Sequence, residues 1–256
     1  MNILVIGDII GEAGLNKAKE ILPKLKQEKN IDFIIANGEN SADGIGINEK
    51  MFNQMIEIGI DVITLGNHTW SKKDVFKFID NNKILRPANY TKGLPGKGHR
   101  IYDNNNKKIA VINLIGRTDI GILSENPFVQ ADNILKILEN SADIIIVDFH
   151  AEATAEKIAM GYYLDGRVNI VFGTHTHVQT ADERILDKGT GYITDIGMTG
   201  PKESVIGMDI SASIKRFVTT LPEKYKIAQG DCIFNGCIFQ LNDKTCRMES
   251  VTRIYL

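Results

Sequence analysis

Apolar residues in this chain fall into short blocks, and many blocks stop abruptly at a polar residue. Ile3-Leu4-Val5-Ile6 runs into Gly7-Asp8, Phe33-Ile34-Ile35-Ala36 into Asn37-Gly38-Glu39-Asn40, and Val62-Ile63-Thr64-Leu65 into Gly66-Asn67-His68. Blocks this short, with little alternation, predict strands buried on both faces. The stretches between them carry a different period. Leu15, Ala18, Ile21, Leu22 and Leu25 recur at helical spacing, and Asn48 stands as the N-cap of a helix bearing Met51, Met55, Ile56 and Ile58. Ser71 is expected to cap a further helix with Val75, Phe76 and Ile79 on its inner side. Later strands are predicted over Ile109 to Leu114, Ile144 to Phe149, Asn169 to Phe172 and Gly191 to Asp195, and helices over Asn133 to Glu139, Thr154 to Tyr162 and Ile210 to Thr220. The tail reads as two antiparallel strands, about Asp231 to Leu241 and Arg247 to Tyr255, around a turn at Asn242-Asp243-Lys244. The expected class is therefore α/β with mixed sheets. Pro87 to Arg100, rich in Gly, Pro and Lys, is the most irregular stretch and a candidate edge of a binding site.

Composition narrows the function classes. The 256 residues are 43% apolar and 24% charged, ordinary usage for a soluble globular protein and within reach of one domain over 1–256. A formal net charge of −2 gives no global field toward nucleic acid or an anionic membrane, so stable binding to either is not expected. Any phosphate binding must then come from a local site. Cys232, Cys237 and Cys246 are odd in number and form no C-x-x-C pair, which argues against a disulfide framework or a zinc-thiolate site and fits a reducing cytoplasm. The N-terminal apolar run meets Asp8 with no basic segment before it, so it reads as a strand and not as a signal peptide.

The chemistry gathers where strands end. Five predicted strands end in metal-ligand side chains: Asp8; Glu39 with Asn40; Asn67 with His68; His150; and His175 with His177. Each has an ordinary explanation when taken alone, since Asp, Asn and Glu are common turn and cap residues. His150 is harder to dismiss, because an imidazole at the end of Ile144-Ile145-Ile146-Val147-Asp148-Phe149 needs a partner. In Gly173-Thr174-His175-Thr176-His177, histidines two apart in a tight loop can serve two neighbouring metals. Strand C-terminal ends in open α/β sheets converge on one edge, where ligands bind. A mixed O/N donor set without Cys suits Mn, Fe, Zn or Ni better than a structural zinc site. His99 is read as a surface loop residue, and Trp70 as packing beside the site.

These residues resemble the calcineurin-like metallophosphoesterase superfamily. Its pattern of an Asp after the first strand, a bridging acid after the second, Gly-Asn-His after the third, a lone His and a Gly-x-His-x-His is met in order by Asp8, Glu39, Gly66-Asn67-His68, His150 and Gly173 to His177. Within it the chain is similar to the YmdB-type bacterial phosphodiesterases, on Gly7-Asp8-Ile9-Ile10-Gly11, Asn37-Gly38-Glu39-Asn40, Gly66-Asn67-His68-Thr69-Trp70 and Thr194 to Pro201. Two departures from the broader superfamily fit that type. Asp-x-His becomes Asp8-Ile9-Ile10, and Gly-Asp-x-x-Asp-Arg becomes Gly38-Glu39-Asn40-Ser41-Ala42, which removes an imidazole and a phosphate-clamping Arg.

The resemblance implies a layered α-β-β-α sandwich, two transition metals with iron or manganese expected, a cyclic-nucleotide or other phosphodiester substrate, and a homo-oligomer. On that basis one metal is assigned to Asp8, Glu39, Asn40 and His177, and the other to Glu39, Asn67, His150 and His175. A hydroxide bridging the metals is expected to attack phosphorus, with His68 as general acid to the departing oxygen. The favoured substrates are 2′,3′-cyclic nucleotides. A nucleotide-sensing regulator with slow or no turnover, and a phosphomonoesterase, are the rival readings. The missing Arg weakens the latter, because a dianion would benefit more from a fixed cation.

Overall fold

The computed structural model describes residues 1–224 and 226–256. Two six-stranded sheets and one three-stranded sheet organise the chain. The first sheet runs, edge to edge, β15 (Met248–Tyr255), β14 (Asn235–Leu241), β1 (Asn2–Ile6), β3 (Ile31–Asn37), β4 (Val62–Thr64) and β5 (Ile84–Leu85). The second runs β10 (Arg184–Ile185), β11 (Gly191–Ile193), β9 (Ile170–Thr174), β8 (Ile144–His150), β7 (Lys107–Ile115) and β6 (His99–Asn104). Both are mixed. β1, β3, β4 and β5 are parallel, as are β7, β8, β9 and β11, while β14, β15, β6 and β10 pair antiparallel. The small sheet joins β13 (Cys232–Ile233), β12 (Met198–Pro201) and β2 (Asp8–Ile9).

The alternation of buried side chains explains the layers. Ile3, Val5, Phe33 and Ile35 point one way from the first sheet and pack with Val111, Ile146, Ile170 and Phe172 of the second. Their neighbours Leu4, Ile6, Ile34 and Ala36 point the other way, onto Leu15, Ala18 and Leu22 of α1 (Gly11–Glu28) and Met51 and Met55 of α2 (Glu49–Glu57). On the far side, Ala110, Ile112, Val147 and Phe149 meet Ala131 and Ile134 of α3 (Pro127–Leu138) and Met160 and Leu164 of α4 (Thr154–Leu164). The order is α-β-β-α. Strands buried on both faces are what the near-continuous apolar blocks called for.

Several local expectations need correction. The helix expected to start at Asn133 starts at Pro127. Asn126 accepts from Phe128 N at 2.9 Å, and proline suits the first helical position. The helix after Ser71 is only a 3₁₀ segment, Lys73–Lys77, with no side-chain cap. Ser71 Oγ turns instead to His68 Nδ1 at 3.4 Å, and Phe76 is exposed, stacked on Trp70 with centroids 5.4 Å apart. His99 is not in a loop. It opens β6 opposite Ile112 and is half-buried. Asn48 does cap α2, accepting from Met51 N at 2.9 Å. The last helix, α5 (Ile210–Thr219), is capped by Asp209 but buries none of its residues. Ile210, Ile214, Phe217 and Val218 of α5 are all exposed.

Candidate metal centre

The strand ends do converge, but from two facing sheets and not along one sheet's edge. Asp8, Glu39, Asn40 and Asn67 follow β1, β3 and β4 of the first sheet. His150 ends β8, and His175 and His177 follow β9, in the second. His150 Nε2 lies 3.0 Å from Glu39 Oε1, 2.8 Å from Asn67 Oδ1 and 3.0 Å from His175 Nδ1. Beside them, His177 Nε2 lies 2.8 Å from the Asn40 amide and 3.9 Å from Asp8 Oδ1, and His175 N donates to Asp8 Oδ2 at 3.3 Å. All seven expected donor side chains thus meet in one place. His68 borders it: its backbone N–H donates to Glu39 Oε2 at 2.9 Å, and its half-buried side chain stays beside Ser71.

Contacts outside the cluster fix how each imidazole faces it. Thr174 Oγ donates to Asp148 Oδ1 at 2.8 Å and lies 2.9 Å from His150 Nδ1, which places Nδ1–H against Thr174 and turns Nε2 inward. His177 Nδ1–H donates to Ile206 O at 2.8 Å, which likewise aims Nε2 inward. Glu39 Oε1, Asn67 Oδ1 and His175 Nδ1 then crowd within 3.0 Å of His150 Nε2, more ligand-type atoms than one proton could satisfy. Asp8 Oδ1, Glu39 Oε1 and Asn40 Oδ1 are buried without a hydrogen bond of acceptable geometry. Unpaired buried oxygens are costly, and multivalent cations satisfy such a set. Glu39, His150 and His175 present ligand atoms that all lie within 4.8 Å of one another.

Burial raises the Asp8 carboxyl, against the pull of His177 and His150. Burial also pushes Glu39 up, but His150 and the His68 backbone outweigh it and hold Glu39 at about 2. Burial and the charge of His150 press His175 down to about 3, so its ring is neutral at neutral pH and able to donate a lone pair.

Close packing and backbone strain build the rest. A Cβ on Gly66 would sit 2.2 Å from the His150 ring, so this turn admits only glycine. Tyr90, packed on Trp70, donates its hydroxyl to Gly66 O at 2.8 Å and steadies the turn that carries Asn67. His175 and His177 have φ of 101° and 65°, left-handed values uncommon outside glycine and frequent at functional sites. That strained loop is tied down from behind. Asp195 accepts from Thr176 N at 3.2 Å and pairs with the buried Lys157, which donates to Thr174 O at 2.8 Å. Thr174, Asp148, Lys157, Asp195, Tyr90 and Glu152, whose carboxylate lies 2.9 Å from His175 Nε2, were not singled out by the sequence. Asp195 sat within the Thr194 to Pro201 stretch, but nothing there gave it a role.

The layered fold is shared with phosphoesterases far removed in sequence. A 5′-nucleotidase precursor from Thermus thermophilus superposes with a TM-score of 0.57 over 100% of this chain and 54% of its own, at 12% identity, a likeness of fold alone. The chain belongs to the YmdB-like protein family, whose model matches residues 4–254. A 2′,3′-cyclic-nucleotide 2′-phosphodiesterase of Bacillus subtilis (strain 168) is 48% identical over 257 residues, covering 100% of this chain and 97% of its own. The crystal structure of a novel phosphatase from Mycoplasma pneumoniae superposes with a TM-score of 0.94 at 36% identity, over 100% of this chain and 93% of its own.

Proposed function

We propose that this protein is a two-metal phosphodiesterase that hydrolyses 2′,3′-cyclic nucleotides. The observation that carries the metal reading is the crowd of ligand atoms around His150 Nε2, together with the unpaired buried oxygens of Asp8, Glu39 and Asn40. The substrate class is supported by the Bacillus phosphodiesterase, alike over the whole chain. Asp8, Glu39, Asn40 and His177 would hold one ion, and Glu39, Asn67, His150 and His175 the other, with iron or manganese suited to the O/N set. Bound there, two such ions supply Lewis acidity, lower the pKa of water and offset charge on the phosphoryl oxygens.

The chain's own groups do the rest. Glu39 would serve both ions, with Oε1 facing His150 and Oε2 steadied by the His68 backbone N–H. Ser71 Oγ sits at His68 Nδ1, which leaves Nε2 to protonate the departing ribose oxygen. Three free cysteines support a reducing, cytoplasmic setting. The exposed apolar residues of α5 support self-association into a homo-oligomer. A panel of 2′,3′-cyclic nucleotides and phosphomonoesters, assayed with added Mn²⁺, tests the substrate class. Cyclic diesters are expected to be cleaved faster. Preferential cleavage of monoesters would favour a phosphatase, and no turnover on either would favour a nucleotide sensor.

A further inference from the structure

Three imidazoles face the cluster, and each has a second nitrogen that must be held elsewhere. For His150 the holder is Thr174, itself buried and bonded to Asp148. For His177 it is the main-chain carbonyl of Ile206. For His175 it is a carboxylate: Glu152 Oε2 lies 2.9 Å from His175 Nε2. Among the described residues Glu152 makes no other ion pair, and its side chain is half exposed. It stands two residues beyond His150, so the end of β8 delivers one donor and the anchor of another. His175 needs that anchor more than the others do. Its side chain is the most open of the three, 19% exposed against 8% for His177 and 0% for His150.

We infer that Glu152 is the positioning residue of His175. Its carboxylate accepts the Nε2–H bond, fixes the Nδ1 lone pair toward Glu39 and His150, and strengthens Nδ1 as a ligand. A carboxylate behind a ligating histidine typically contributes about 10–100-fold to metal affinity. The effect is confined to one of the two ions, since His177 is held separately by Ile206 O and Asp8 touches only the backbone N–H of His175.

The inference rests on the two-metal reading for its effect on affinity, but the tautomer of His175 tests it separately. Mn²⁺ titration calorimetry on the full chain is compared for wild type, Glu152→Ala and Glu152→Gln, with ¹⁵N NMR of the His175 ring. The expected result is a loss of about 10–100-fold at one site in Glu152→Ala with the other site unchanged. Glu152→Gln, which keeps an acceptor oxygen, restores part of that loss, and Glu152→Ala mixes the His175 tautomers. Thermal melts like those of wild type are expected for both variants, given the exposure of Glu152. Wild-type affinity at both sites in Glu152→Ala, or equal weakening of both, overturns the inference. If wild type fails to take up two ions, the two-metal reading falls, and an unchanged His175 tautomer in Glu152→Ala then overturns the role of Glu152 as well.

Discussion

The two large sheets serve the site in different ways. The first brings oxygen donors, Asp8, Glu39, Asn40 and Asn67, none of which has a left-handed backbone. They follow short apolar strands, Asp8 opening β2 and the others at turns, and close packing sets their aim, as at Gly66 against the His150 ring. The second brings nitrogen donors. Two of its three histidines are left-handed, and all three depend on partners for their second nitrogen. An oxygen donor has lone pairs in several directions, whereas an imidazole has one lone pair in its plane. Its aim must therefore be fixed by the hydrogen bond on the other nitrogen. The first sheet can supply its donors from local turn chemistry, while the second needs a supporting frame behind its loop.

The largest expected effect comes from Glu39, the residue proposed to serve both ions. Glu39→Ala should lose both ions and reduce cyclic-nucleotide hydrolysis below detection, while His175→Ala loses one ion. Metal content by elemental analysis separates the two outcomes. Equal losses for both variants would erase the distinction between a shared oxygen ligand and a single-ion nitrogen ligand.

His68 sharpens the contrast, because it follows the first sheet yet is assigned no metal. His68→Ala should lower turnover by about 10²–10⁴-fold with metal content near wild type. The loss should shrink for a nitrophenyl diester, whose leaving group needs little protonation. Loss of an ion from this variant would make His68 a ligand.

The frame behind the nitrogen donors is tested next. Lys157→Ala leaves the Asp195 carboxylate buried without its cation, a change that costs roughly 3–5 kcal/mol. Thermal denaturation should register it at about 2–4 °C per kcal/mol. Affinity should fall at the ions served by His175 and His177 beyond what lost stability explains. A melt unchanged from wild type would show that the pair does not hold the loop.

The smallest effect on chemistry is expected from α5, which belongs to neither sheet. Phe217→Glu should lower the sedimentation coefficient of the self-associated protein and leave turnover per chain unchanged. A wild-type protein that sediments as a monomer would remove the oligomer claim alone.

Much of the site was legible because its donors sit where apolar blocks stop, and a block's end is a local signal. Asp8, Glu39, Asn40, Asn67, His150, His175 and His177 could be gathered on that signal and on the resemblance it supported. The meeting of two sheets was not legible from strand ends, since period and length say nothing of which strands pair. Nor were the anchors. Thr174 reaches Asp148 through the β8–β9 register, and Lys157 reaches Asp195 across from α4, so both depend on tertiary placement. Glu152 looked like any exposed loop acid. The 3₁₀ turn at Lys73–Lys77 and the early start of α3 were missed for a local reason. Helical spacing located the apolar residues, but the contacts of Ser71 and Asn126 set where a helix begins.

The central claim is that two sheets together hold two ions. Metal content per chain, measured on purified protein after loading with Mn²⁺ and removal of excess, tests it most directly. A ratio approaching two is the predicted result. Saturation at one ion, or at none, would contradict it.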